Sequence, residues 1–249
     1  MTDPLSSSAA KQTFSSIASH ALRGVTFTIL GSLSALDLDL EGESLSQRQR
    51  LMIGNAAEGA ARLAQAVKDL EILLKDADHQ LEDRREVTPL GALIDEAIAQ
   101  AQEPIAPDPP RAITRRLPSR LAACYADRRL ARRALAALIE NALRFSPPDA
   151  PIGVEASRRG DRVVIRVLDA GDGVGPDERE RIFEPLYVGA DPQGDVGLGL
   201  GVGLGLAVAR VCAKAQGGAV SLERSNATGA SFILELMLSP PDAPANAAG

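Results

Sequence analysis

Three short stretches of this chain carry residue types that could handle a phosphorylated ligand. The first is Leu138-Ile139-Glu140-Asn141-Ala142-Leu143-Arg144-Phe145. Asn141 offers a neutral carbonyl oxygen, the hard donor that Mg²⁺ accepts beside waters and phosphates. Arg144 stands one helical turn on, and its guanidinium suits a phosphate. A solvated Asn/Arg pair at a helix end is the plainer alternative. The second stretch is Asp169-Ala170-Gly171-Asp172-Gly173-Val174-Gly175. A carboxylate at 169 could accept a hydrogen bond from an exocyclic amine, while Gly171 and Gly173 would let backbone approach a planar ring. A simple Asp-Gly turn would look similar. The third runs Gly197-Leu198-Gly199-Leu200-Gly201-Val202-Gly203-Leu204-Gly205-Leu206-Ala207. Its glycines leave amide N–H groups unshielded just before a helix, which makes an anion site. No Gly-Lys-Ser/Thr follows, so it is not a P-loop, and the dinucleotide pattern is not met.

The elements that must position these residues follow from periodicity. Arg128 to Phe145 reads as a helix, and Leu204 to Gln216 as another. Thr88-Pro89 looks like the start of a helix whose apolar face is Leu90, Leu93, Ile94, Ala97 and Ile98, ending near Gln102. Ile113 to Leu117, Ile152 to Ser157, Val163 to Leu168 and Ser231 to Leu238 read as strands, with Gly160-Asp161 turning between the second and third. Strands and helices mix without strict alternation, which predicts an α+β layer rather than a doubly wound sheet.

Upstream, two long helices are expected, broken at Glu41-Gly42-Glu43-Ser44. The second keeps a heptad: Ile53, Ala60, Val67, Leu74 and Leu81 at one position, Ala56, Leu63, Leu70 and Ala77 three further on. That repeat predicts a coiled-coil-like seam. An antiparallel hairpin cannot bury both stripes by itself, so a homodimer through residues 12–82, closed as a four-helix bundle, is expected. The domains are then 1–83, a helical hairpin, and 84–239, a two-layer α/β sandwich. Residues 240–249 are Pro/Ala-rich and expected as a disordered tail.

Composition narrows the partners. The chain has 249 residues and a formal net charge of −6, the wrong sign for non-specific nucleic-acid binding. Residues 1–83 hold 7 basic and 12 acidic side chains, and residues 84–249 hold 20 and 21, so the hairpin is a different surface. The stretches Gly24 to Leu36 and Val196 to Ala209 are too short to span a membrane. With no export signal and only Cys124 and Cys212, a cytoplasmic location with reduced thiols is expected.

In order and spacing, the three stretches resemble the ATP-binding module of two-component sensor histidine kinases, part of the ATPase superfamily that includes gyrase. Glu140-Asn141-Ala142 looks like the N box, Asp169-Ala170-Gly171-Asp172-Gly173 the G1 box, Arg181-Ile182-Phe183-Glu184-Pro185-Leu186-Tyr187 the F box and Gly201-Val202-Gly203-Leu204-Gly205-Leu206 the G2 box. Gln216-Gly217-Gly218 and Thr228-Gly229-Ala230-Ser231-Phe232 match the closing turn and last strand, so the likeness covers roughly residues 87–238. Phe14-Ser15-Ser16-Ile17-Ala18-Ser19-His20-Ala21-Leu22-Arg23 resembles the H box, whose His receives the γ-phosphoryl group. A neutral imidazole is a competent nucleophile near pH 7.

The resemblance implies a Bergerat-type fold, ATP and Mg²⁺ as cofactors, and autophosphorylation on His20. A response regulator would receive the phosphoryl group on an aspartate, and a separate sensor or input protein would supply the signal. It assigns Asp169 to the adenine amine, and Gly171 and Gly173 to the base pocket. Phe145 would pack near the nucleotide, Arg144 would meet a phosphate, and Asn141 would hold Mg²⁺. The phosphates would lie on the G2 box, from Gly201 to Leu206, cradled by Gly203, Leu204 and Gly205 at the helix start. Val188 to Leu200 would be a lid. Four positions depart from the pattern. Ala21 replaces the acid after the His, Gly24 the phosphatase Thr or Asn, Val25 a Pro, and Ala137 the first N-box Asn. A phosphotransfer hub, or an ATP-binding scaffold without autokinase activity, is therefore the competing reading. Arg128, Arg129, Arg132 and Arg133 form a basic cluster, either a solvated face or a docking patch for the acidic hairpin.

Overall fold

A computed structural model describes residues 47–82, 84–102, 111–188 and 203–240. The first predicted helix, His20, Gly201, the disordered-tail segment and all of the expected lid except Val188 lie outside these residues. The chain divides into two units, Met1–His79 with Leu186–Leu204 and Gln80–Pro185 with Gly205–Gly249.

In the first unit, α1 runs Gln47–Ala77. Its burial does not follow the predicted heptad, of which only Ala56 is buried. Leu73 is buried, while Ile53, Ala60, Val67 and Leu74 lie exposed in one row along the helix. Asp69 is also buried, and its Oδ1 accepts a hydrogen bond from Gln65 Nε2 at 2.8 Å, one turn earlier. His79 is exposed beyond the helix end.

The second unit is a mixed sheet with helices against it. Its strands are β1 (Glu86–Pro89), β2 (Ile113–Arg116), β3 (Ala123–Ala126), β4 (Ile152–Arg159), β5 (Arg162–Leu168), β6 (Ala219–Asn226) and β7 (Gly229–Met237). They are ordered β1-β3-β7-β5-β4-β2, with β6 also paired to β7; the β2–β4 pair is parallel and the rest antiparallel. The helices are α2 (Leu90–Gln102), α3 (Arg128–Phe145) and α4 (Gly205–Ala215). The α+β class is thus present.

Helix α3 has the predicted bounds, and the reasons are local. Asp127 caps it, its Oδ1 accepting from the N–H groups of Arg129 (3.0 Å) and Leu130 (3.1 Å). Ala, Leu and Arg favour the helical interior. Ser146 precedes Pro147, which disfavours helical backbone before it, and Ser146 is extended at ψ 147°. Leu135, Leu138 and Ile139 are fully buried, each stabilising the fold by about 1.5–3 kcal/mol relative to exposure.

Three strands were not expected. Thr88-Pro89 ends β1 rather than starting a helix, and α2 begins at Leu90. β1 lies at the sheet edge, where a Pro without an N–H is tolerated. β1 and β3 have four residues each, too few for a periodic signal. β6 is mostly exposed, so its polar sequence reads as loop.

Cys124 on β3 and Cys212 on α4 are both fully buried, and burial pushes the Cys124 thiol up to about 12. Native protein at pH 8 should therefore release almost no chromophore with a disulfide dye over minutes. Two equivalents per chain should react in denaturant.

Candidate functional site

The N-box helix, the loop after β5 and the start of α4 meet the sheet at one end. Asp169 follows β5 directly. Its Oδ1 accepts from the N–H groups of Gly171 (3.1 Å) and Ala230 (2.9 Å). Its own N–H donates to Ala230 O at 3.0 Å. Both bonds use one carboxylate oxygen, so Oδ2 is the one left for a ligand donor.

Gly171 and Gly173 let the loop sit closely on its neighbours. A Cβ at Gly171 would stand 2.6 Å from Phe145 O, at the end of α3. Gly173 has φ +78°, and a Cβ there would stand 2.2 Å from Asn226 O. Val174 is tied to the same strand end through Ser225 Oγ, which accepts its N–H at 2.5 Å and donates to its carbonyl at 3.2 Å.

On α3, Asn141 is half-buried and no described residue hydrogen-bonds its side-chain amide. Glu140, beside it, is fully engaged. Arg133 is buried and grips Glu140 at both carboxylate oxygens, 2.8 and 3.2 Å. This corrects the reading of the basic cluster as one solvated face. Arg128 pairs with Glu96, which holds the Glu96 carboxyl below its usual range, and Arg132 lies 3.9 Å from the same carboxylate. Arg129 pairs with Asp127 at 3.6 Å. Among the described residues no group of three His, Cys, Asp or Glu could hold a metal. A Mg²⁺ here would take one protein oxygen, from Asn141, and complete its shell from phosphates and water, as that ion commonly does. Phe145 is 56% exposed, with the Arg144 guanidinium 5.1 Å from its ring centre. Both side chains therefore reach the open end of α3.

The F-box turn is anchored by an aromatic lock. Phe183 is buried edge-on against Phe232 of β7, centroids 6.3 Å apart, and Arg210 of α4 lies 5.0 Å over its ring. Gly205 and Leu206 begin α4, with Gly205 against Ala137 of α3. Gly203 and Leu204 directly precede them, and Gly203 O accepts the N–H of Leu186 at 2.8 Å. That bond joins residues that flank the segment Val188 to Leu200 read as a lid.

Sequence reasoning missed Ser146, Ser225 and Ala230 as supports of the site. Their contributions pass through the backbone of the Asp169 loop; strand pairing brings Ser225 and Ala230 there, and the placement of the end of α3 brings Ser146. The positive φ of Gly229, beside Asp169 O, was also silent in sequence.

The model of the histidine kinase-, DNA gyrase B-, and HSP90-like ATPases matches residues 126–240. The sensor protein KdpD of Mycobacterium tuberculosis (strain ATCC 25618 / H37Rv) is 39% identical over 123 residues, 49% of this chain and 14% of that protein. The chain therefore spans only a small part of that relative. Among solved structures, the Acinetobacter baumannii histidine kinase AdeS superposes with a TM-score of 0.64 at 20% identity, covering 89% of this chain and 98% of that one. It shows the shared fold. Full-length ShkA in complex with AMPPNP gives a TM-score of 0.57 at 26% identity, covering 92% of this chain and 46% of that one.

Proposed function

We propose that this chain, whose residues 126–240 match the model of the histidine kinase-, DNA gyrase B-, and HSP90-like ATPases and resemble a sensor histidine kinase, binds ATP with Mg²⁺, autophosphorylates on His20 and passes the phosphoryl group to an aspartate of a response regulator. The observation that carries the nucleotide half is Asp169, one carboxylate oxygen fixed by two amides and the other left for the adenine amine. The ATP analogue held by ShkA supports the same half.

The chain's residues then divide the work. Asn141 would hold Mg²⁺, which when bound would supply charge neutralisation at the phosphates. Arg144 binds a phosphate from the end of α3. The amides of Gly203, Leu204 and Gly205 and the positive end of α4 bind the rest. Phosphoryl transfer needs mainly positioning and charge neutralisation, which such donors supply. Gly171 and Gly173 bring the loop under the base, and Phe145 covers its open edge.

The exposed row Ile53, Val67 and Leu74 supports a homodimer through the hairpin, since an apolar stripe of this kind is buried by a second copy. Among the described residues no helix is long and apolar enough to cross a membrane.

One observation favours the second reading, a phosphotransfer hub or ATP-binding scaffold with little autokinase activity. Ala137, where the family places an Asn, is 2% exposed, and a Cβ at Gly205 would stand 3.9 Å from its own. It offers no oxygen to the metal. Incubation with γ-labelled ATP separates the readings. Acid-labile, alkali-stable label that disappears in His20→Ala and falls at least ~10-fold in Asn141→Ala is expected. Label retained in His20→Ala overturns the acceptor assignment. Nucleotide binding without label selects the scaffold, and label arriving only from a phosphorylated regulator selects the hub.

A further inference from the structure

We propose that Ser146 is a positioning residue that sets the purine specificity of the nucleotide site, an inference that rests on the ATP-binding reading above. Ser146 is 7% exposed and ends α3, its N–H donating to Ala142 O at 3.1 Å. Its Oγ reaches the other side of the site and accepts the N–H of Ala170 at 3.1 Å. Ala170 is the residue immediately after the base-reading carboxylate.

Asp169 is thus held from several directions. Its own N–H is bonded to β7, and its Oδ1 is bonded to Gly171 and Ala230. The following amide is bonded to Ser146, and Phe145 O fills the space at Gly171. Among these contacts, the Ser146 hydroxyl is the side-chain hydrogen bond that ties the loop to α3. It joins the element that presents the base-reading carboxylate to the one that carries Asn141 and Arg144.

Ser146 is itself fixed from both sides. The Arg111 guanidinium donates to Leu143 O, to Pro147 O at 2.5 Å and to Ala150 O at 3.3 Å, bracketing residue 146 in the chain. A hydroxyl on so fixed a turn restrains the position of the Ala170 amide. Discrimination between an amine and a carbonyl at the purine 6-position depends on that placement, because hydrogen-bond strength falls steeply with geometry. A carboxylate oxygen accepts from the amine and repels the carbonyl, and loosening the loop lets it turn from either.

The test measures binding of a non-hydrolysable ATP analogue and its 6-oxo (inosine) counterpart to the full chain by calorimetry. Wild type should prefer the adenine compound. Ser146→Ala should weaken adenine binding about 5–10-fold and reduce the adenine-over-inosine preference by a similar factor, the scale of one hydrogen bond. Ser146→Thr, which keeps the hydroxyl, should restore the preference. A Ser146→Ala protein whose affinities both fall equally, or not at all, overturns the inference while leaving ATP binding intact. Wild type that binds neither compound overturns the ATP reading itself. If the Ala variant does not fold, Ser146→Cys keeps the size and weakens the acceptor, and the same loss of preference is required of it.

Discussion

Asp169→Asn should lower affinity for an ATP analogue about 100-fold while leaving the melting temperature within a few degrees of wild type. The asymmetry follows from how the two carboxylate oxygens are used. Oδ1 accepts the Gly171 and Ala230 amides, and an Asn carbonyl oxygen can accept the same two bonds. The Asn amide nitrogen then stands where Oδ2 was, and a donor faces the adenine amine. A lost charged acceptor plus two opposed donors is worth roughly 2–4 kcal/mol, or 30- to 1000-fold. Asp169→Ala should lose binding and stability together, because both loop amides then lack their acceptor. Calorimetric titration beside thermal denaturation reads the two effects apart. Equal binding by wild type and Asp169→Asn would remove this carboxylate from the nucleotide site.

Asp127→Ala is expected to be the most damaging polar change in the sheet unit. Asp127 is 3% exposed and caps α3. Its Oδ2 accepts the backbone N–H of Arg84 at 3.0 Å, and its own N–H donates to Gln216 Oε1 at 3.0 Å. Gln216 is buried and also donates to Cys212 O on α4. Arg85, the next residue in the connecting segment, reaches Gln216 O and lies 5.8 Å over the Tyr125 ring. One carboxylate thus satisfies three backbone amides at a point where the segment entering the sheet unit, α3 and α4 come together. Removing it costs a helix cap and leaves a third amide without its partner, about 2–3 kcal/mol in all. The melting temperature should fall by roughly 4–12 °C for a unit of this size. Asn should recover most of the loss. A fall below 2 °C would mean that water replaces the carboxylate without cost.

Why α3 was legible in advance and its surroundings were not is a matter of range. Its start, its interior and its stop are written in adjacent residues: an Asp cap, helix-favouring Ala and Leu, and a Ser-Pro-Pro exit. The β4–β5 hairpin was legible for the same reason, through alternation on either side of Gly160-Asp161. β1 and β3 gain their order from each other, Glu86 pairing with Ala126 and Pro89 with Ala123, and from the pairing of Tyr125 on β3 with Met237 on β7, all partners distant along the chain. No window of four residues contains that information. The Arg133–Glu140 pair was hidden differently. A seven-residue spacing puts both side chains on one helix face, but only the packing around α3 makes that face an interior one.

The sequence by itself determined the chemistry on offer: a carboxylate, an Asn, an Arg and unshielded amides, in the order of a known nucleotide-binding module. Side-chain type and short-range spacing suffice for that, because the relevant forces act within one turn or one loop. Only the tertiary structure decided how those groups are held. It assigned Asp169 Oδ1 to the protein and left Oδ2 over, enlisted Ser146, Ser225 and Ala230 as supports, and committed Glu140 to Arg133. All of those outcomes except the Arg133–Glu140 pair depend on hydrogen bonds between residues distant in sequence. Strand pairing and helix packing bring such partners within hydrogen-bond distance, and nothing local in the chain specifies them.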